Sequence, residues 1–398
     1  MKPLRSLTVL LTVILSPLLT GCWGYKEFEH QFYPHAVAVG KVGNQYLIYV
    51  QVLDMSKLGR SESPTAKTGA GSWIAIAKGQ TLDEAAHDLY QVTPRSVNWG
   101  HVNAILISEN LLKAPDWANV FGVLTRFAQF RYTPWIFTTQ DDLQTVLATP
   151  PIIEVSPVHS GLGDPMELYK ESSFIRPIRM NSFIADMSEP TTPHLIPEVS
   201  LQANRWYAGQ EPHSTITLSG YAMFDAQRKF VGSCTREKCA GLRWADPKLQ
   251  RTSLNLTQNG KAIGSAIVSK PRYRVRYALS GQNIRYQVSV SVRGIVPEKY
   301  GNESLAALDK LAEREIRNEI YETYRNGLQR NMDLFGLTDA LYRSNPGLYH
   351  QLKKRGALQL TDSSLSSVQV KVQLMTGIRT LEGPQEQLTQ LDTPGPSS

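Results

Sequence analysis

A chain of 398 residues with 41% hydrophobic and 19% charged residues is too long for one ordinary core, so two or three globular domains are expected. Its formal net charge of +7 is mildly basic and is not gathered on a recognisable module, which argues against nucleic-acid binding and suits a place beside an anionic bilayer.

The chain opens with Lys2 and Arg5, then an apolar run over residues 7–19, closed by Leu19-Thr20-Gly21-Cys22. That layout predicts an export signal over residues 1–21. A leucine, two small residues and a cysteine resemble a lipoprotein processing box, with the cut before Cys22 and a diacylglycerol on its thiol. An ordinary secreted chain with a buried cysteine is the alternative. No later apolar stretch approaches the ~20 residues of a spanning helix, so the mature chain is expected to be anchored rather than threaded.

Strands are predicted at 36–39, 46–53 and 73–78, with a Ser, Gly, Thr and Lys-rich loop over 56–72. Thr81 with Glu84 forms a capping box ahead of Leu82, Ala85, Ala86 and Leu89, which predicts a helix. A strand at 101–107 comes next. Asp116 is then expected to cap a helix with the stripe Trp117, Val120, Phe121, Leu124 and Phe127. A strand at 133–138 and a short helix from Asp141 to Leu147 complete an α/β unit, residues 22–149.

Thr149-Pro150-Pro151 marks a change of composition, and prolines 157, 165, 177, 190, 193 and 197 punctuate the next fifty residues. This predicts a middle domain over 150–250, whose periodic part is a hairpin at 214–224 and 230–232 ending near Cys234 and Cys239. An exported chain meets no cytosolic reductant, so a disulfide across Cys-x4-Cys is expected, with two free thiols or a metal site as alternatives.

The third unit, 251–382, reads as strands at 262–268, 272–279 and 283–292, with turns at Lys270-Pro271 and Gly281-Gln282. A long helix is predicted from Glu303 to about Asn331, with Asp309, Lys310, Glu313, Arg317 and Glu322 on its water face. A last strand covers 366–375, and 383–398 reads as a disordered tail. The fold class expected is α+β: three domains of mixed sheets with packed helices, the long helix in the last.

No G-x-S-x-G, H-E-x-x-H or G-x-x-x-x-G-K-[ST] occurs, so no catalytic residue, cofactor or metal ligand is assigned and a non-enzymatic role is expected. His30 and His35 lack a third ligand, and Asp141-Asp142 reads as a cap. Arg272, Arg274 and Arg276 alternate with Tyr273, Val275 and Tyr277, so in a strand the three guanidinium groups share one face. That face suits lipid phosphates, an acidic loop or plain solvent. Trp99 is expected to pack on the helix that Thr81 opens.

Cys22-Trp23 with acidic residues beyond, Trp99-Gly100-His101-Val102, Ile105-Leu106-Ile107-Ser108-Glu109, Gly241-Leu242-Arg243-Trp244 and Gln329-Arg330-Asn331-Met332-Asp333-Leu334-Phe335-Gly336 stand in an order that resembles the Ger(x)C family of spore germination lipoproteins. The resemblance implies a fold of three α+β domains and a non-enzymatic subunit of a nutrient germinant receptor. It implies a lipid anchor at Cys22 on the outer face of the cell or spore inner membrane, and two integral membrane partner subunits, of A and B type. Gly24 departs from the acid usual after Cys-Trp, and the Cys234, Cys239 pair is not a family feature. A substrate-binding lipoprotein of an importer is the rival reading.

Overall fold

Three apolar runs, at 36–39, 104–107 and 135–137, lie side by side as the parallel centre of a large mixed sheet. Strands buried on both faces read in sequence as nearly continuous hydrophobic stretches, and these do. The computed structural model describes residues 31–53, 72–127, 129–152, 160–280 and 283–376. The leader with Cys22, most of the 56–72 loop and the 383–398 tail lie outside the described residues.

In chain order the first unit runs β1 (Gln31–Phe32), β2 (Pro34–Val42), β3 (Gln45–Leu53), β4 (Ser72–Gly79), α1 (Leu82–Val92), β5 (Ser96–Val97), β6 (Ala104–Ser108), α2 (Glu109–Leu112), α3 (Asn119–Leu124), β7 (Trp135–Thr139) and α4 (Leu143–Ala148). The middle part holds α5 (Pro165–Glu171), β8 (Ile178–Arg179), α6 (Met180–Asp186), β9 (His194–Ala208), β10 (Glu211–Phe224) and β11 (Phe230–Thr235). The last part has β12 (Thr252–Gln258), β13 (Lys261–Ser280), β14 (Asn283–Lys299), α7 (Leu305–Leu328), α8 (Leu337–Ser344), α9 (Pro346–Lys354) and β15 (Leu365–Thr376). The protein is α+β.

The large sheet has the order β11-β10-β9-β7-β6-β2-β3-β4, with β8 beside β7. Alternate residues of the central strands serve two cores. Val37, Val39, Ile105, Ile107 and Ile136 meet α1, α3 and α6, whereas Ala36, Ala38, Leu106 and Phe137 meet Leu143, Val146 and Leu147 of α4. The sheet runs across the composition change at 149–151, but β7 and β9 are in register only at Thr138 and Glu198. An aromatic cluster reinforces that junction: Trp117 stacks on Phe224 at 4.4 Å and donates its indole N–H to the Arg228 carbonyl at 2.8 Å. Such ring pairs each contribute about 0.5–1.5 kcal/mol beyond their burial.

Several local expectations hold. Thr81 caps α1 by accepting the Glu84 N–H at 3.1 Å, and Glu84 reaches back to the Gln80 N–H at 2.7 Å. Trp99 is buried, stacks on Phe127 at 4.5 Å and donates to the Tyr90 hydroxyl of α1 at 3.3 Å.

Others are corrected. Asp116 caps nothing: its carboxylate accepts the Tyr46 hydroxyl and lies 3.7 Å from Lys41, because the chain starts α3 three residues later. Asp142, not Asp141, caps α4 through the Thr145 N–H at 2.8 Å, while Asp141 accepts the Leu201 N–H of β9 at 2.7 Å. Residues 99–101 form a 3-10 turn, and the strand begins only at Ala104. Lys270-Pro271 is no turn but a bulge inside the twenty-residue β13. Lys270 takes a φ of 48° there, the register with β14 shifts, and the missing amide of Pro271 is harmless at a bulge. No element is expected at β9, α8 or α9, although Asn345 caps α9 by accepting the Leu348 N–H at 3.1 Å and Pro346 opens it. Helix α7 starts after the cap Ser304 and ends at Leu328.

The second sheet is β12-β13-β14-β15, with β15 parallel to β14 and the rest antiparallel. One face is closed by α7, α8 and α9 around Leu308, Ile316, Ile320, Leu337, Leu341 and the inward Val288, Val290 and Val292. The opposite face is open. Asp309, Glu313 and Arg317, expected in water, instead line the free edge of β15.

Candidate functional site

Cys22 lies outside the described residues. Cys234, at the end of β11, and Cys239 are joined in the structure by a disulfide with 6.0 Å between their Cα atoms. Both are buried.

The loop they close rests on α7. Thr323 donates its hydroxyl to the Lys238 carbonyl at 3.1 Å and accepts the Gly241 N–H at 3.0 Å, and Asn326 donates to the Cys234 sulfur at 3.2 Å. A Cβ on residue 241 would stand 2.5 Å from the Glu319 carbonyl oxygen, so only glycine permits this approach.

Next along the chain, in the 3-10 segment Ala240–Ala245, Arg243 makes a two-pronged contact with Glu319. Its Nη2 is 2.6 Å from Oε1 and its Nε 3.2 Å from Oε2. The Trp244 indole N–H adds a third donor to that carboxylate at 2.7 Å. The remaining guanidinium nitrogen reaches the Thr252 hydroxyl at 2.9 Å, and the cation covers the Phe174 ring at 4.3 Å. Burial pushes the Glu319 carboxyl up and the Arg243 guanidinium down, and each is opposed by the charge of the other. The satisfied geometry keeps the pair ionised. The 3-10 segment that follows the middle hairpin is thereby tied to α7 through an ion pair whose guanidinium is buried. Sequence reasoning misses Glu319, yet the residue carries a signal: it falls on the buried stripe of Ile316, Ile320 and Thr323, where a carboxylate needs a partner.

Beside this junction a cleft of about 230 Å³ separates the start of β9 from the last helices, lined among others by Pro193, His194, Asp225, Asn331, Asp333 and Lys353. Thr191 bridges it, donating to Asp339 at 2.7 Å. His194 is buried, and its Nδ1 has no hydrogen-bond partner; burial, with the nearby Arg228 charge, lowers its basicity. Asp333 accepts the N–H groups of Leu337 and Thr338 at 2.8 Å each. Burial nonetheless raises its pKa. Among the described residues no three His, Cys, Asp or Glu side chains stand together as a metal site. Among them, too, no helix is long and apolar enough to cross a membrane.

The third feature is the open face of the small sheet. Arg272, Arg274 and Arg276 are all exposed on it, while Tyr273, Val275 and Tyr277 turn into the core, as the alternation predicts. Register extends the row: Arg272 lies opposite Ser291 and, one strand on, Lys371; Ala278 lies opposite Arg285, and Arg293 opposite Gln373.

A mixed nine-stranded sheet followed by a helix-backed four-stranded sheet defines the architectural class, an α+β protein. Two family descriptions cover it in order: "Spore germination protein N-terminal domain" matches residues 24–201 and "Spore germination B3/ GerAC like, C-terminal" matches 219–381. The chain belongs to the Ger(x)C family of spore germination proteins.

YfkR of Bacillus subtilis (strain 168), a putative spore germination protein by name, is 23% identical over 355 residues, which span 86% of this chain and 90% of that protein. Spore germination protein KC of the same organism is 22% identical over 381 residues, 88% of this chain and 90% of its own length. The crystal structure of the GerBC protein has the same fold, with a TM-score of 0.53 at 14% identity over 85% of this chain and 96% of that one.

Proposed function

We propose that this chain is a lipid-anchored subunit of a nutrient germinant receptor, needed for assembly and coupling of the complex that triggers spore germination. The observation that carries the reading is the family match running in order over both halves of the chain. On this reading Cys22 bears a diacylglycerol and holds the protein on the outer face of the cell membrane and spore inner membrane. Two integral membrane subunits, of A and B type, are its partners, and its role is not catalytic. Domain limits at 22–149, 150–250 and 251–382 belong to the same reading. The Arg243 to Glu319 junction supports a coupling role, since the segment leading out of the middle hairpin cannot part from α7 without stranding a buried charge.

The test is Cys22→Ala in the spore-forming host. It should move the protein from the membrane to the soluble fraction and weaken nutrient germination. Retention in the membrane fraction would overturn the anchor, and unaltered germination after deletion of the gene would overturn the receptor role.

A further inference from the structure

We infer that the open face of the four-stranded sheet is a membrane-docking surface for anionic lipid headgroups. Six cations occupy it: Arg272, Arg274, Arg276, Arg285, Arg293 and Lys371. None makes an ion pair within the described structure. From the row of Ile295 to that of Arg285, no position on the face is Asp or Glu. Glu313 borders the same depression as Arg272 and Lys371 but accepts the Val372 N–H from the helix side, and the first carboxylate on the face itself is Glu298, opposite Ser265, one row beyond Ile295. With strands ~4.8 Å apart and ~6.8 Å between alternate residues, these charges fill a patch of about 27 by 10 Å. Such a density of unpaired like charge, held on rigid strands, is complementary to a phosphate-bearing surface.

An acidic protein segment would meet the same charges, but the row beyond Arg293 favours a bilayer. There Ile267, Ile295 and Met375 stand in register across three strands, with Ile295 40% and Met375 57% exposed. Cations beside a short apolar row match the headgroup and upper acyl levels of an interface. The serines and glutamines between the arginines add hydrogen-bond donors for phosphate oxygens. This contact is separate from any acyl chain: the tether sets distance to the membrane, and the face sets orientation against it.

The experiment uses the chain from residue 22 with Cys22→Ser, which keeps every described element and removes any acyl contribution. Co-sedimentation is measured with phosphatidylcholine vesicles, with and without phosphatidylglycerol. Binding is expected only with phosphatidylglycerol, falling as salt rises. R272Q/R274Q/R276Q should weaken it by about two orders of magnitude, roughly fivefold per charge, with an unchanged melting temperature because all three side chains are exposed. R285Q/R293Q should repeat the loss in part, and Arg205→Gln, exposed on β9, should leave binding unaltered. Equal binding to both vesicles, or no effect of the triple substitution, overturns the inference. Binding to a poly-glutamate peptide without binding to the vesicles also overturns it, and assigns the face to an acidic protein segment. None of these outcomes depends on whether Cys22 is acylated in the cell.

Discussion

Asp309 accepts the backbone N–H of Leu374 at 2.8 Å, placing a helix side chain where a neighbouring strand would otherwise pair. One turn on, Glu313 accepts the Val372 N–H at 3.2 Å, and Arg317 donates to the Val368 carbonyl at 3.2 Å. Four helical residues rise ~6.0 Å and two strand residues ~6.6 Å, so Asp309 and Glu313 keep step with Leu374 and Val372, while the longer Arg317 side chain reaches four strand residues on to Val368. Unpaired strand edges invite pairing with other chains. D309A/E313A is expected to lower unfolding stability in urea by about 2–4 kcal/mol, from two charge-assisted hydrogen bonds and two stranded amides. It should also promote aggregation at partial denaturation. Light scattering and a urea titration check both; a loss under about 0.5 kcal/mol, within the range of a neutral surface change, would refute the role.

That series shows why parts of the fold were legible in the sequence and others were not. Thr81 with Glu84, and the alternation at Arg272 to Tyr277, are local devices whose geometry comes from spacing alone. Spacing also groups Asp309, Glu313 and Arg317 on one helix face, but not what that face meets, since β15 arrives more than fifty residues later. Strand β9 is hidden by Pro193 and Pro197, and becomes a strand because β10 pairs with it from His194 to Ala208, with a break at 203–205. The bulge at Lys270 falls where the register with β14 shifts between Ser269 and Arg272, just past the last β12 pair at Val268. In the junction, Gly241 and Arg243 were visible as a motif, whereas their partner Glu319 needed the tertiary contact.

For the Arg243 to Glu319 pair, removing one partner should cost more than removing both. Glu319→Ala leaves a buried guanidinium with its strongest acceptor gone, and a loss of about 3–5 kcal/mol is expected. R243M/E319L, which fills the space with apolar side chains, should lose less than either single substitution. A double-mutant cycle by denaturant unfolding measures the coupling. Additive effects within about 0.5 kcal/mol would show that the pair does not act as a unit.

Cys234 and Cys239 close a loop separated by five positions in sequence. Chain entropy gives so small a loop about 2 kcal/mol of stabilisation. In C234A/C239A that contribution disappears, and Asn326 loses its sulfur acceptor in a buried site. A fall in melting temperature is expected for the double variant and for the wild type under reductant. The reduced wild type should fall less, because its Cys234 sulfur still accepts from Asn326. Labelling of two free thiols on the unreduced native chain would refute the pairing.

Acid should act on the fold first through a histidine. His194 is buried with an unpartnered Nδ1, and its folded pKa lies below the ordinary 6.5, chiefly through burial and then through Arg228, with Asp225 acting in the opposite sense. Lys353 and Asp333 also line its cleft. In the window from 6.5 down to that depressed value the unfolded chain binds a proton that the folded chain refuses. Stability is therefore full above about pH 6.5 and falls as pH drops through the window, by up to about 1.4 kcal/mol per pH unit. Asp333 acts in the opposite sense. Its folded pKa is raised by burial, so the folded chain holds its proton more tightly and gains relative stability upon acidification. His194→Gln should thus flatten the fall of the unfolding free energy below about pH 6.5, while Asp333→Asn, which removes a group of opposite sign, should steepen it wherever the two windows overlap. An unchanged slope in the histidine variant would show that another group drives the acid sensitivity.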